Sequence, residues 1–183
     1  MVKTLFSLAE EIRRCTACPL YKSRTLSVAG EGSQNAKIII VGEAPGSEED
    51  RQGFPFVGRS GKFLDEMLKL ADLKKENVFL TGAVKCHPPK NRNPLIKELK
   101  ICKELWLEKQ IELIKPELIV ILGRSALKSL LNWTNVAEVH GKLLKKDGRK
   151  YFVTYHPSAG MRFPKIGQEM KKDFNKLKFL QKK

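Results

Sequence analysis

No run of apolar residues in this chain is longer than Leu118–Leu122, a strand's length and far short of the roughly 20 residues that a membrane-spanning helix needs. The opening residues, Met1-Val2-Lys3-Thr4-Leu5, lack an apolar core followed by small residues. No signal peptide is therefore expected, and the expected compartment is the cytoplasm. Neither GxGxxG nor GxxxxGK[ST] occurs, so no nucleotide cofactor is expected. Internal repeats, low-complexity tracts and linker-like stretches are also missing. The 183 residues read as one domain, long enough for a sheet with helices on both sides.

What is abundant is positive charge. The chain has 35 Lys and Arg against 20 Asp and Glu, a net +15. Such an excess favours polyanionic partners, whose phosphates supply salt-sensitive, sequence-independent affinity. A Lys-rich solvated surface, common in heat-adapted proteins, is the plainer alternative. The C-terminal lysines (Lys171, Lys172, Lys176, Lys178, Lys182, Lys183) fit either reading. Apolar content of 42% with 30% charged residues describes an ordinary globular chain.

Periodicity predicts a helix over Leu5–Arg14, with Leu5, Leu8, Ala9 and Ile12 on one face. Residues 37–41 form a β-branched run typical of a strand buried on both faces. A helix is predicted over Ser60–Leu73, with Ser60 as its cap. A second strand follows at 77–81, then a proline-rich loop from Cys86 to Pro94. A long helix over Pro94–Ile114 includes Cys102, and Pro116 separates it from the strand at Leu118–Leu122. After a short helix ending at Leu131, Val136–Tyr155 reads as a hairpin turning at Asp147-Gly148. A helix over Ile166–Leu180 closes the chain. Strands alternating with helices point to a three-layer α/β/α sandwich with a largely parallel sheet.

In open α/β sheets ligands bind beyond the carboxyl ends of the strands. Three segments fall there: Gly42-Glu-Ala-Pro-Gly-Ser-Glu-Glu-Asp50, Thr81-Gly-Ala-Val-Lys-Cys86 and Tyr155-His-Pro-Ser158. The first pairs close-approach glycines with three consecutive acids, which repel phosphate but suit a polar ring or a positioned water. Gly53-Phe-Pro-Phe-Val-Gly58 places Phe54 and Phe56 in a loop, where an aromatic serves to stack on a planar base or to pin the loop to the core. His156 reads as a catalytic, base-contacting or structural imidazole, and His87 and His140 have weaker claims. Cys15 and Cys18 form a C-x2-C pair that presents two sulfurs to one metal, with Cys86 and Cys102 as the remaining thiols. Zinc would be atypical at this spacing and structural disulfides are uncommon in a cytosolic chain. The spacing itself points to a metal site without naming the metal.

Taken in order, these motifs resemble the family 4 uracil-DNA glycosylases, the iron–sulfur, mostly thermophilic branch of that superfamily. The residues that carry the likeness are Cys15-Thr-Ala-Cys-Pro-Leu20, Gly42-Glu-Ala-Pro-Gly46, Phe54-Pro-Phe-Val-Gly58, Val84-Lys-Cys-His-Pro-Pro89 with Asn91-Arg92, Cys102, and His156-Pro-Ser158. The resemblance implies a four-stranded parallel sheet flanked by helices and a structural [4Fe–4S] cluster on Cys15, Cys18, Cys86 and Cys102. It implies a monofunctional base-excision repair enzyme, acting as a monomer on single- or double-stranded DNA, that removes uracil and leaves an abasic site. By the same resemblance His156 contacts the uracil O2, backbone groups of Glu43 and Ala44 face the ring beside Pro45, and Phe56 stacks on it. Glu43 or Glu49 positions the water. Residues 159–163 resemble a loop that enters the duplex, with Met161 as wedge and Arg162 as phosphate contact.

Two departures stand out. Relatives bearing a GQDPYH motif carry an aspartate where this chain has Ala44, so a carboxylate base is absent there. The family usually places Asn where this chain has Gly82, which implies weaker uracil selectivity or a wider range of deaminated bases, hypoxanthine and xanthine included. A damage-binding module of the same fold without turnover and a zinc-stabilised nucleic-acid-binding protein are the alternatives.

Overall fold

The computed structural model describes residues 4–180, so Met1–Lys3 and Gln181–Lys183 lie outside the described residues. Elements follow in the order α1 (Leu5–Arg13), β1 (Glu31–Gly32), β2 (Ile38–Gly42), α2 (Ser47–Gln52), α3 (Arg59–Leu70) and β3 (Phe79–Gly82). Next come α4 (Ile96–Cys102), a wider π turn (Lys103–Leu107), α5 (Glu108–Ile114), β4 (Leu118–Leu122) and α6 (Arg124–Leu131). The chain continues through α7 (Val136–Val139), β5 (Leu143–Lys146), β6 (Arg149–Thr154), α8 (Pro157–Arg162) and α9 (Pro164–Leu180).

The sheet has six strands in the order β1-β3-β2-β4-β6-β5, not the four expected. The four inner strands are mutually parallel, and the extra two are edge strands, each antiparallel to its neighbour. β1 is two residues long, too short for any alternation to announce it. β5 is the first arm of the expected hairpin. It starts at Leu143 rather than Val136 because residues 136–139 coil into the helical turn α7. Asp147 (φ 49°) and Gly148 (φ 74°) are both left-handed, as a two-residue hairpin turn of the right twist requires.

The inner strands are buried on both faces, and their period of two divides the core into two layers. Ile39, Val41, Ile119, Ile121 and Val153 pack with Leu8, Ile12, Leu107, Ile111 and Leu127. Ile38, Ile40, Val120, Leu122 and Phe152 pack with Leu64, Met67, Leu68, Met170, Phe174 and Leu177. The three-layer α/β/α expectation holds. From β2 the chain steps outward to β3 on one side, then crosses to β4 and β6 on the other. The reversal leaves a crevice between the carboxyl ends of β2 and β4, where this class of sheet binds ligands.

Local details differ from the sequence reading where backbone geometry overrode side-chain preference. Gly58, not Ser60, caps α3, its extended backbone ending the Phe56 turn. The acids Glu48, Glu49 and Asp50 lie on α2 instead of in an open loop. Met161 and Arg162 belong to the last turn of α8 instead of a loop, and Pro157 at its first turn starts that helix where an N–H would be free anyway.

Candidate active site

The crevice holds a cleft of about 430 Å³ whose walls include Glu43, Ala44 and Pro45 after β2, Gly82 at the end of β3 and His156 after β6. Phe56, Glu49 and Arg162 complete the predicted residues that line it. Met161 is exposed and is not among the residues lining the cleft. Phe54 is exposed and does not pin its loop to the core.

Phe56 is held with a left-handed backbone (φ 54°), unusual for a bulky residue and a mark of a position over-determined by its surroundings. Its ring lies over Gly42, where a Cβ would come within 2.6 Å of the ring. The ring centroid is 6.5 Å from that of His156, with the planes tilted by 31°. The two rings therefore stand side by side at one corner of the cleft.

His156 caps α8. Its Nδ1 accepts the Ser158 backbone N–H at 3.2 Å and lies 2.8 Å from the Ser158 hydroxyl. Burial pulls the imidazole down to about 4, against the opposing pull of the Glu49 carboxylate. A neutral ring with Nδ1 as acceptor carries its proton on Nε2.

The two acids of the cleft differ in what they have left to offer. Glu49 is buried, with Oε2 accepting the Gly46 N–H at 3.1 Å and Oε1 accepting the Gly58 N–H at 2.9 Å. Both oxygens are thus occupied by backbone. Glu43 accepts one bond, from the Ser125 hydroxyl to Oε2 at 2.5 Å. Asp50 faces away and accepts the Thr25 N–H with both oxygens, and Glu48 pairs with Arg51 at the surface.

At Gly82 the chain offers backbone only. Its carbonyl accepts the Lys85 ammonium at 2.9 Å, and a Cβ there would meet the Val84 carbonyl oxygen at 2.7 Å. A side chain at this position requires the strand end to shift. Lys85 is fully enclosed and also donates to Thr81 Oγ1 and Gln110 Oε1, each at 2.6 Å. Burial lowers its ammonium to about 8.

Behind this network the four cysteines line one small cavity with Leu20, Val84, Lys85 and Trp106. They are free thiols, and among the described residues no three His, Cys, Asp or Glu side chains converge tightly enough to hold a metal ion directly. Each sulfur nevertheless has an N–H donor. Trp106 Nε1 donates to Cys15 at 3.2 Å and Arg24 to Cys86 at 3.0 Å, with the backbone N–H of Leu20 on Cys18 and of Lys85 on Cys102. Burial raises Cys18 and Cys86 and pushes Cys102 up to about 12. Left alone these groups remain neutral, yet their donors are those that metal-bound thiolates take. The donor set fits a thiolate-held cluster.

Three supporting features escaped the sequence reading. Ser125 stands in the first turn of α6 and holds Glu43 through its hydroxyl. Arg92 grips the buried Glu98 through two bonds of 2.9 and 2.7 Å, with Glu98 also accepting the Leu95 N–H at the start of α4. Asp173 on α9 is buried and accepts the Thr154 hydroxyl at 2.7 Å while facing His140 Nδ1 at 3.1 Å. That anchors the end of β6, two residues before His156. His87 meets Asn91 at 2.9 Å and takes no part in the cleft wall.

Residues 29–178 match the family model of the uracil DNA glycosylase superfamily. The chain is 40% identical over 185 residues to the type-4 uracil-DNA glycosylase of Archaeoglobus fulgidus, covering 96% of this chain and 92% of that one. It is 39% identical to the type-4 enzyme of Sulfurisphaera tokodaii over 97% of this chain and 84% of that one. With the type-4 enzyme of Thermotoga maritima the identity is 42%, over 85% and 82% of the two chains. The chain belongs to the uracil DNA glycosylase superfamily, in its type-4 branch.

Proposed function

We propose that this chain removes uracil from DNA by hydrolysing the N-glycosidic bond, leaving an abasic site for base-excision repair. The observation that carries the reading is the convergence of Glu43, Phe56 and His156 on one cleft at the switch point of the sheet. The bond lies inside the duplex, so the nucleotide is extruded into the cleft at a cost of a few kcal/mol. Net charge of +15 favours DNA backbone binding. Arg162 contacts a phosphate, and Met161, exposed on the last turn of α8, fills the gap left in the stack.

Inside the cleft Phe56 stacks on the base, beside Ala44 and Pro45. As the bond from the sugar C1′ to N1 breaks, its electron pair passes to the base and spreads onto O2. His156 Nε2–H donates there, neutral and already oriented, so no reorganisation accompanies charge development. Glu43, with one oxygen uncommitted, stabilises the cationic sugar and orients the water that adds to C1′. The proton released passes to that carboxylate and on to solvent. Glu49, bound by two backbone N–H groups, shapes the wall instead.

Cys15, Cys18, Cys86 and Cys102 would hold a [4Fe–4S] cluster, whose larger inorganic core suits four sulfurs lining a cavity better than convergence on a single ion does. Bound there, it would cross-link the segment that follows α1, the segment after β3, and α4. The enzyme acts as a cytoplasmic monomer. Incubation with a uracil-containing oligonucleotide followed by alkali is expected to cut at the uracil. Intact strands at all temperatures up to denaturation would refute the assignment and favour a damage-binding role.

A further inference from the structure

The turn from β4 into α6, Gly123-Arg-Ser125, touches both reactive groups of the cleft. The Gly123 N–H donates to the Thr154 carbonyl at 2.9 Å, and its left-handed backbone (φ 84°) brings it against His156. A Cβ at 123 would stand 2.8 Å from the His156 Cβ, so only glycine permits this approach. Two residues later Ser125, buried to 7% exposure, donates its hydroxyl to Glu43 Oε2 at 2.5 Å. Among the described residues no other hydrogen bond or ion pair to the Glu43 carboxylate is present.

A glutamate with three side-chain torsions at a cleft wall samples several rotamers unless something selects one. A buried hydroxyl on a helix packed into the core is such a selector, because neither the donor nor its backbone can follow a moving carboxylate. It occupies one oxygen and leaves Oε1 for the cleft. Glu49 shows the contrasting outcome, with both oxygens occupied.

We propose that Ser125 is the positioning residue of Glu43, and that the β4–α6 turn sets the spacing between Glu43 and His156. The two groups act on opposite sides of the breaking bond, one toward the sugar and one toward the base, so a single short turn governs both. The proposal rests on the role given to Glu43 above.

The test is a double-mutant cycle on single-turnover uracil release, with Ser125→Ala, Glu43→Ala and the pair. Ser125→Ala should slow release about tenfold, the scale expected when a reacting group loses its orientation, with DNA affinity within about twofold of wild type. Ser125→Thr, which keeps the hydroxyl, should recover most of the rate. In the Glu43→Ala background the serine change should cost less than about twofold. Wild-type rates for Ser125→Ala beside a slow Glu43→Ala would overturn the positioning role alone. Equal losses in both backgrounds would overturn it too, marking the serine as a packing residue. A wild-type rate for Glu43→Ala would instead remove the role of Glu43, and the proposal with it.

Discussion

The backbone N–H of Ser158 donates to Nδ1 of His156 at 3.2 Å. This one bond decides what the imidazole presents to the cleft. With Nδ1 as acceptor, the neutral ring has a proton on Nε2 and points a donor at whatever occupies the site.

Burial holds His156 near 4, below its ordinary 6.5, so the ring stays neutral across the physiological range. The excision rate should show no inflection between pH 6 and 7 attributable to this residue. An inflection there that disappears in His156→Gln would contradict the assignment. The sign for stability follows from linkage. A histidine buried neutral contributes fully above its unfolded value of about 6.5, and that contribution is lost as pH falls toward the folded value. Thermal unfolding of the wild type compared with His156→Gln should therefore converge at low pH.

Gly82 should leave the base edge without a side-chain reader. Loss of one such reader is worth on the order of 1–3 kcal/mol of discrimination. The wild type should release hypoxanthine from DNA at a measurable fraction of its uracil rate, and strict uracil specificity would count against the idea. Restoring Asn at 82 is not a neutral swap, because its Cβ would press on the Val84 carbonyl at 2.7 Å. Gly82→Asn should lower stability by about 1–3 kcal/mol, read as a drop in Tm.

The cysteine cavity makes a separate prediction. Purified protein should be brown, with about four irons per chain, consistent with Cys-ligated [4Fe–4S] chemistry. Cys86→Ala should lose iron and bind uracil-containing DNA more weakly, because Lys85 beside it fixes the Gly82 carbonyl. A colourless wild type with one zinc per chain would replace the cluster by a different site. A folded Cys86→Ala protein with unchanged excision kinetics would break the link between cavity and cleft.

Asp173 supports the histidine from behind. Burial raises its carboxyl, while the Thr154 hydroxyl and His140 draw it back down. Asp173→Asn should destabilise the fold by roughly 1–2 kcal/mol and slow excision without a matching loss of DNA affinity. A pure Tm effect with wild-type single-turnover rates would confine Asp173 to folding.

Much of the architecture was readable because burial writes itself into the sequence. Residues 38–41 and Leu118–Leu122 are apolar without alternation, as strands covered on both faces must be. The acids of α2 misled because GSEED reads equally as a loop, and only the helix shows that Glu49 is committed to backbone. Ser60 looked like a cap by residue type, but the Phe56 turn forces extended backbone at Gly58 instead. Ser125 carried no signal at all: a serine in the first turn of a helix is commonplace, and its meaning depends on Glu43, 82 residues away in sequence. The C-x2-C pair shows in the spacing alone, whereas joining Cys86 and Cys102 to it rests on the family resemblance and on the cavity that all four line.

Uracil release from a single-uracil duplex under single-turnover conditions, wild type against His156→Ala, tests the central claim most directly. Removing a preorganised donor to the developing negative charge should slow release by about 10²- to 10³-fold with DNA binding retained. Wild-type rates in His156→Ala would contradict the account.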